Sequence, residues 1–126
     1  MLKTISRILL ALLGAGALLI ASQAWLQPER VAEQLGYALI GNLGVSSFRA
    51  DIGSFFALSG LFMLLAAWRT DRQYILPPLV LAGLALAARL ATAGQTGFDP
   101  AYTQPITVEA FSVIVLLVAW TQFRKA

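Results

Sequence analysis

Four stretches of this chain, residues 5–26, 48–68, 75–91 and 106–123, are apolar almost without a break. Each holds 17 to 22 residues. Helix rises about 1.5 Å per residue, so ~20 residues cross the ~30 Å hydrocarbon layer of a bilayer. The pattern predicts an all-α chain that spans a membrane four times.

Composition rules out the soluble alternative. Hydrophobic residues make up 59% of the chain and charged residues 12%, about half the charged share of a soluble domain. A soluble chain of 126 residues would need a polar shell, and the material for one is missing. The length fits a single domain covering residues 1–126. There is no cysteine and no histidine. Disulfides, thiolate chemistry, the commonest metal ligand and the commonest general base are thereby excluded. No cofactor or metal is expected.

The net charge of +3 reflects sidedness, not affinity for nucleic acid. Lys3, Arg7, Arg69, Asp71, Arg72, Arg124 and Lys125 fall on one side of the predicted spans. Glu29, Arg30, Glu33, Arg49, Asp51, Arg89, Asp99 and Glu109 fall on the other. Lys and Arg concentrate in short cytoplasmic connections. Both termini are therefore expected inside, in an antiparallel four-helix bundle of a single orientation. Lys3 and Arg7, the apolar run after them, and Ser22, Gln23 and Ala24 also have the outline of a signal peptide. The apolar character continues through Trp25 and Leu26, which favours an uncleaved first helix.

The connections carry their own signals. Gln27, Pro28 and Glu29 read as a helix start, with proline and an acid in the first turn. Val31, Leu35, Ala38 and Leu39 recur at helical spacing opposite Glu29, Arg30, Glu33 and Gln34, predicting a short amphipathic helix at the outer interface. Gly41 and Gly44 should end it, with Ser46 or Ser47 capping the second span. Pro77 and Pro78 suit the first turn of the third span. Residues 92–107, rich in Gly, Thr, Gln and Pro, read as an outer loop. Trp25, Trp68, Tyr74 and Trp120 fall near predicted interfaces, as an aromatic belt requires. Gly14, Ala17 and Ala21; Gly53, Ala57 and Gly60; and Ala82, Gly83 and Ala87 form small-residue stripes suited to close helix approach.

Four ionisable groups share one depth near the outer boundary: Arg49, Asp51, Arg89 and Glu109. A charge inside a bilayer costs several kcal/mol unless paired or hydrated. The four are expected to face the bundle interior and one another, with Arg89 able to fork onto Asp51 or Glu109. Simple complementarity to helix dipoles and snorkelling to water would explain the same positions.

Residues 48–69, FRADIGSFFALSGLFMLLAAWR, then a short basic turn and PPLVLAGLALAARLA at 77–91, resemble small four-helix bacterial inner-membrane proteins of a domain-of-unknown-function family, DoxX-like in character. The shared features are Arg49 and Gly53 opening the second helix, Gly83, Ala88 and Arg89 ending the third, and an acid, Glu109, opening the fourth. The resemblance implies a four-helix bundle and brings no activity with it.

Three functions are compatible with these residues. One is a binding or accessory protein whose outer-leaflet pocket seats a membrane lipid, a quinone, an isoprenoid or a partner helix, beside the polar cluster. Phe55, Phe56, Phe98, Tyr102 and Phe111, with Phe62, would form its walls. Another is an oligomeric transporter or channel, disfavoured because the inner halves of the spans offer few polar groups beyond Ser59 and Thr121. The last is a membrane enzyme using Glu109 or Asp51 for proton transfer, although no metal-ligand spacing, nucleophile elbow or phosphate loop is present. The binding role is the best fit, within a larger complex or homo-oligomer.

Overall fold

The structure, a computed structural model, describes residues 1–123. Arg124 and Lys125 lie outside the described residues. Four helices are long and apolar enough to cross a membrane: α1 (Leu2–Leu26), α3 (Gly41–Arg69), and the helical segments Arg72–Thr96 and Pro100–Gln122. The last two each begin with one 3-10 turn and continue as α4 (Leu76–Thr96) and α5 (Thr103–Gln122). A short helix, α2 (Pro28–Gln34), links α1 to α3. This is a multi-pass, all-helical membrane protein. In hydrocarbon every backbone N–H and C=O must be satisfied internally, and continuous helices do this at every step.

The helices close a ring: α1 packs on α3, α3 on α4, α4 on α5, and α5 back on α1. The interface of α1 with α3 is the most extensive. Arg7 meets Ala67 and Trp25 meets Arg49 across it, so the two helices run antiparallel. At mid-depth Gly14 and Gly60 bring the two backbones together. A β-carbon on Gly60 would stand 2.7 Å from the Gly14 carbonyl oxygen, and one on Gly14 would stand 2.9 Å from that of Gly60. Lipid supplies no hydrophobic drive between helices, so close packing of this kind holds them. The stripe of Gly14, Ala17 and Ala21 is buried here as expected. On α4 only Ala82 of the predicted stripe is buried; Gly83 is half-buried with open space at its β-position, and Ala87 is exposed.

The interior divides into two clusters. At the end bearing Lys3, Arg7, Arg69 and Arg72, called the basic end below, Leu10, Met63, Ile75, Leu116 and Phe123 are buried together from all four long helices. At the opposite, acidic end, Ala24, Val31, Ala32 and Phe48 join α1, α2 and α3 alone. The buried residues of α4 are Pro78 and Ala82, and those of α5 are Ser112, Val115, Leu116 and Ala119. All of these except Ser112, at the middle of α5, lie in the halves toward the basic end. Toward the acidic end, beyond Ala82 and Ser112, neither α4 nor α5 contributes a buried residue.

Several connections depart from the sequence pattern. The amphipathic helix stops at Gln34, before Ala38 and Leu39. Gly36, at φ +83°, terminates it: the Gly36 N–H donates to the Glu33 carbonyl and the Tyr37 N–H to the Ala32 carbonyl, a reciprocal closure that a left-handed glycine permits. Gly41 and Gly44 do not separate helices; they begin α3, with the Gly44 N–H donating to the Ile40 carbonyl. Ser46 and Ser47 consequently sit inside α3 and cap nothing. Within α3, Arg49–Gly53 form one π-helical turn. The expected loop at 92–107 is largely helical. The Thr92 and Thr96 hydroxyls donate to the carbonyls of Ala88 and Thr92, folding back along α4 as threonine does inside helices. Gly97, at φ +84°, then ends α4.

Candidate functional site

A cleft lies at the acidic end, between α4, the α2–α3 connection and the turn that precedes α5. Its cavity measures about 300 Å³ and is lined by Tyr37, Ala85, Ala88, Arg89, Thr92 and Tyr102. Ala85, Ala88, Arg89 and Thr92 recur at helical spacing and so share one face of α4. Tyr37 comes from the α2–α3 connection, held there by the closure at Gly36.

Arg89 and Glu109 form an ion pair within this region, Nε of Arg89 donating to Oε1 of Glu109. It is the only ion pair among the described residues. The Glu109 side chain is 15% exposed and that of Arg89 38%. The carboxylate is thus sunk between helices while the guanidinium reaches the cavity wall. With one donor spent on Glu109, the remaining guanidinium N–H groups are available to a guest.

The two tyrosines are buttressed alike. The Tyr37 ring packs edge-on against Phe48, at 5.6 Å between centroids. Tyr102 packs edge-on against Phe98 at 6.0 Å, and its hydroxyl lies 3.1 Å from the Thr96 hydroxyl. The cleft therefore combines alanine walls, two aromatic rings, a paired guanidinium and hydroxyl groups. An apolar hollow with a few convergent polar groups is the usual form of a small-molecule site.

Of the four ionisable residues expected to converge, the structure joins two. Arg49 turns the other way: its Nε donates to the Trp25 carbonyl at 3.0 Å, and its guanidinium lies over the Trp25 ring. Asp51 is exposed and joins no ion pair among the described residues. The π-helical turn that contains both residues alters their facing relative to the rest of α3. Among the expected walls, Tyr102 lines the cavity and Phe98 backs it. Phe55 and Phe56 pack on each other, Phe62 packs near Tyr74, and Phe111 is 46% exposed. None of these four lines the cleft. Phe111 lies two residues, or about 200° of helical turn, from Glu109 and faces outward.

Sequence spacing marks the α4 face of the cleft, because Ala85, Ala88 and Thr92 follow Arg89 in helical register. Tyr37 carried no such signal, since its place depends on where α2 ends. At the other end of the bundle Leu10, Met63, Ile75 and Leu116 are buried together, and none of them lines the cleft. No group of three or more His, Cys, Asp or Glu able to hold a metal occurs among the described residues.

Spans and cleft together describe a multi-pass membrane protein with a polar-lined recess at its acidic end. Comparison with protein-family models, with curated proteins and with solved structures gives no match.

Proposed function

We propose that this protein is a binding or accessory subunit of the bacterial inner membrane, without catalytic residues of its own. It seats a lipophilic small molecule, of the quinone or isoprenoid kind, with the polar end of the guest beside Arg89 and Glu109. In this reading both termini and the turn before α4 face the cytoplasm, following the concentration of Lys and Arg at that end. α2 lies along the opposite interface with Val31 and Ala32 turned inward, and the cleft opens to the outer leaflet. Membrane lipids are its immediate partners, and a larger complex or second copy would complete its surroundings. The family resemblance of residues 48–91 accords with this location.

The observation that carries the proposal is the cavity of about 300 Å³ with the Arg89–Glu109 pair at its wall. Its size is at the lower end for small-molecule sites. The apolar core at the basic end of the bundle favours a pocket over a conducting path, and Glu109 already engages a guanidinium, which favours binding over proton transfer. Native mass spectrometry of protein released gently from its own membrane tests the reading. A lipophilic adduct is expected on the wild type and is expected to be lost in Ala88→Trp, which fills the cleft. Bare wild-type protein in every charge state would overturn it.

A further inference from the structure

A second hollow lies at the opposite end of the molecule. A groove of about 410 Å³ runs between α1 and α3 at the basic end, bordered by Thr4, Arg7, Ile8, Ala11, Leu64 and Trp68. Thr4 to Ala11 spans about two helical turns, or ~10 Å along α1. The polar residues Thr4 and Arg7 stand nearer the helix end, and Ile8, Ala11 and Leu64 continue the groove toward the apolar interior.

Arg7 is held in a defined pose. Its Nε donates to the Ala67 carbonyl at 2.8 Å, and this is its only hydrogen bond among the described residues. The terminal fork of the guanidinium is left for another acceptor. A planar fork of this kind matches phosphate oxygens two at a time. Because the side chain is already ordered, binding forfeits little further rotamer freedom. Lys3 stands one turn before Arg7 on the same face of α1. The Arg69 guanidinium lies over the Trp68 ring at 5.8 Å, at the rim. Among the described residues the acid at this end, Asp71, is turned into its own loop by contacts with Gln73. A tryptophan beside cations marks the headgroup level of a bilayer.

We propose that this groove is a binding site for an anionic phospholipid, its phosphate on the Arg7 fork and an acyl chain along Ile8, Ala11 and Leu64. A net negative headgroup complements Lys3, Arg7 and Arg69 together. A zwitterionic headgroup brings its own cation against them. Basic pockets between helices at a membrane face recognise anionic lipids in this way.

The test is titration of delipidated full-length protein in detergent with phosphatidylglycerol or phosphatidylcholine of identical acyl chains, read by native mass spectrometry. Phosphatidylglycerol should bind preferentially, and millimolar inorganic phosphate should not displace it. Arg7→Ala should weaken phosphatidylglycerol binding about tenfold, as loss of a charge-assisted contact implies. Ala11→Phe keeps Arg7 and its bond to Ala67 while filling the groove, and should weaken binding too. Arg89→Ala, at the far cleft, should leave it unchanged, so the two sites are judged separately. Equal binding of the two lipids, or wild-type binding of phosphatidylglycerol by both groove variants, would overturn the proposal.

Discussion

The Arg49 Nε donates to the carbonyl oxygen of Trp25 at 3.0 Å, while its guanidinium carbon lies 5.3 Å from the centre of the Trp25 ring. Trp25 belongs to the last turn of α1, whose carbonyls have no partner within the helix. The same device recurs at two other helix ends. Arg7 donates to Ala67 in the last turn of α3. Arg72 donates to Trp120 in the last turn of α5 at 2.7 Å and lies over that ring at 5.1 Å. Each cation answers both an orphan carbonyl and the negative end of a helix dipole.

Removing these bridges should loosen the helix ends independently. Arg49→Ala is expected to destabilise the protein by about 1–2 kcal/mol, from a charged hydrogen bond and a partly exposed cation–π contact. Arg7→Ala acts at the opposite end, so the double variant should show near-additive losses. Unfolding in mixed micelles, followed by tryptophan fluorescence, measures both. Coupling well above about 0.5 kcal/mol would contradict two separate bridges.

The Gly14–Gly60 contact gives a sharper steric test. Gly60→Ala would bring a β-carbon within 2.7 Å of the Gly14 carbonyl oxygen and 2.8 Å of the Leu18 side chain. Both belong to α1, so the two helices must separate. A loss of about 1–3 kcal/mol is expected from such overpacking. Gly16, with nothing within 4 Å of its β-position, serves as the control: Gly16→Ala should be neutral or slightly stabilising in the same assay.

Arg89 and Glu109 should prove energetically coupled. Glu109→Ala leaves a guanidinium unpaired beside lipid, and Arg89→Ala leaves a nearly buried carboxylate alone. Each single variant is expected to lose more stability than its share of the pair, and the double variant less than their sum. A coupling of about 1–2 kcal/mol in a double-mutant cycle is expected for a pair that is only partly screened by water. A value near zero would mean that the two side chains do not depend on one another.

Sidedness is open to direct labelling because the chain has no cysteine of its own. Single cysteines at Ala38 and Gln73, exposed at opposite ends of the bundle, report on the proposed orientation. In intact cells a membrane-impermeant maleimide should modify Ala38→Cys and spare Gln73→Cys. The reverse pattern would invert the topology.

The residue pattern made the spans legible because hydrocarbon leaves a chain few choices. Long apolar runs must be helical wherever they cross. The close approach of α1 and α3 was also legible, since Gly14 and Gly60 lack the side chains that would keep two backbones apart. On α4 the expected small-residue stripe was Ala82, Gly83 and Ala87, whereas the cleft is lined by Ala85, Ala88 and Thr92 around Arg89. The polar cluster was only half legible. Equal depth on three helices places side chains at one level without fixing which way each faces. A π-helical turn at Arg49–Gly53 breaks the regular register from which facing is read.

The amino-acid order alone thus determined class and number of spans, through the cost of leaving backbone or charge unsatisfied in lipid. It also set the charge asymmetry between the two ends of the bundle. Tertiary structure decided which partner each charge received. Arg49 went to a carbonyl and an indole on α1, Arg89 to a carboxylate on α5, and Asp51 was left exposed. Such choices depend on which surfaces meet after the helices have formed. An arginine near a helix end is served equally by a neighbouring carbonyl or a carboxylate, and only the packed bundle brings one of them within reach.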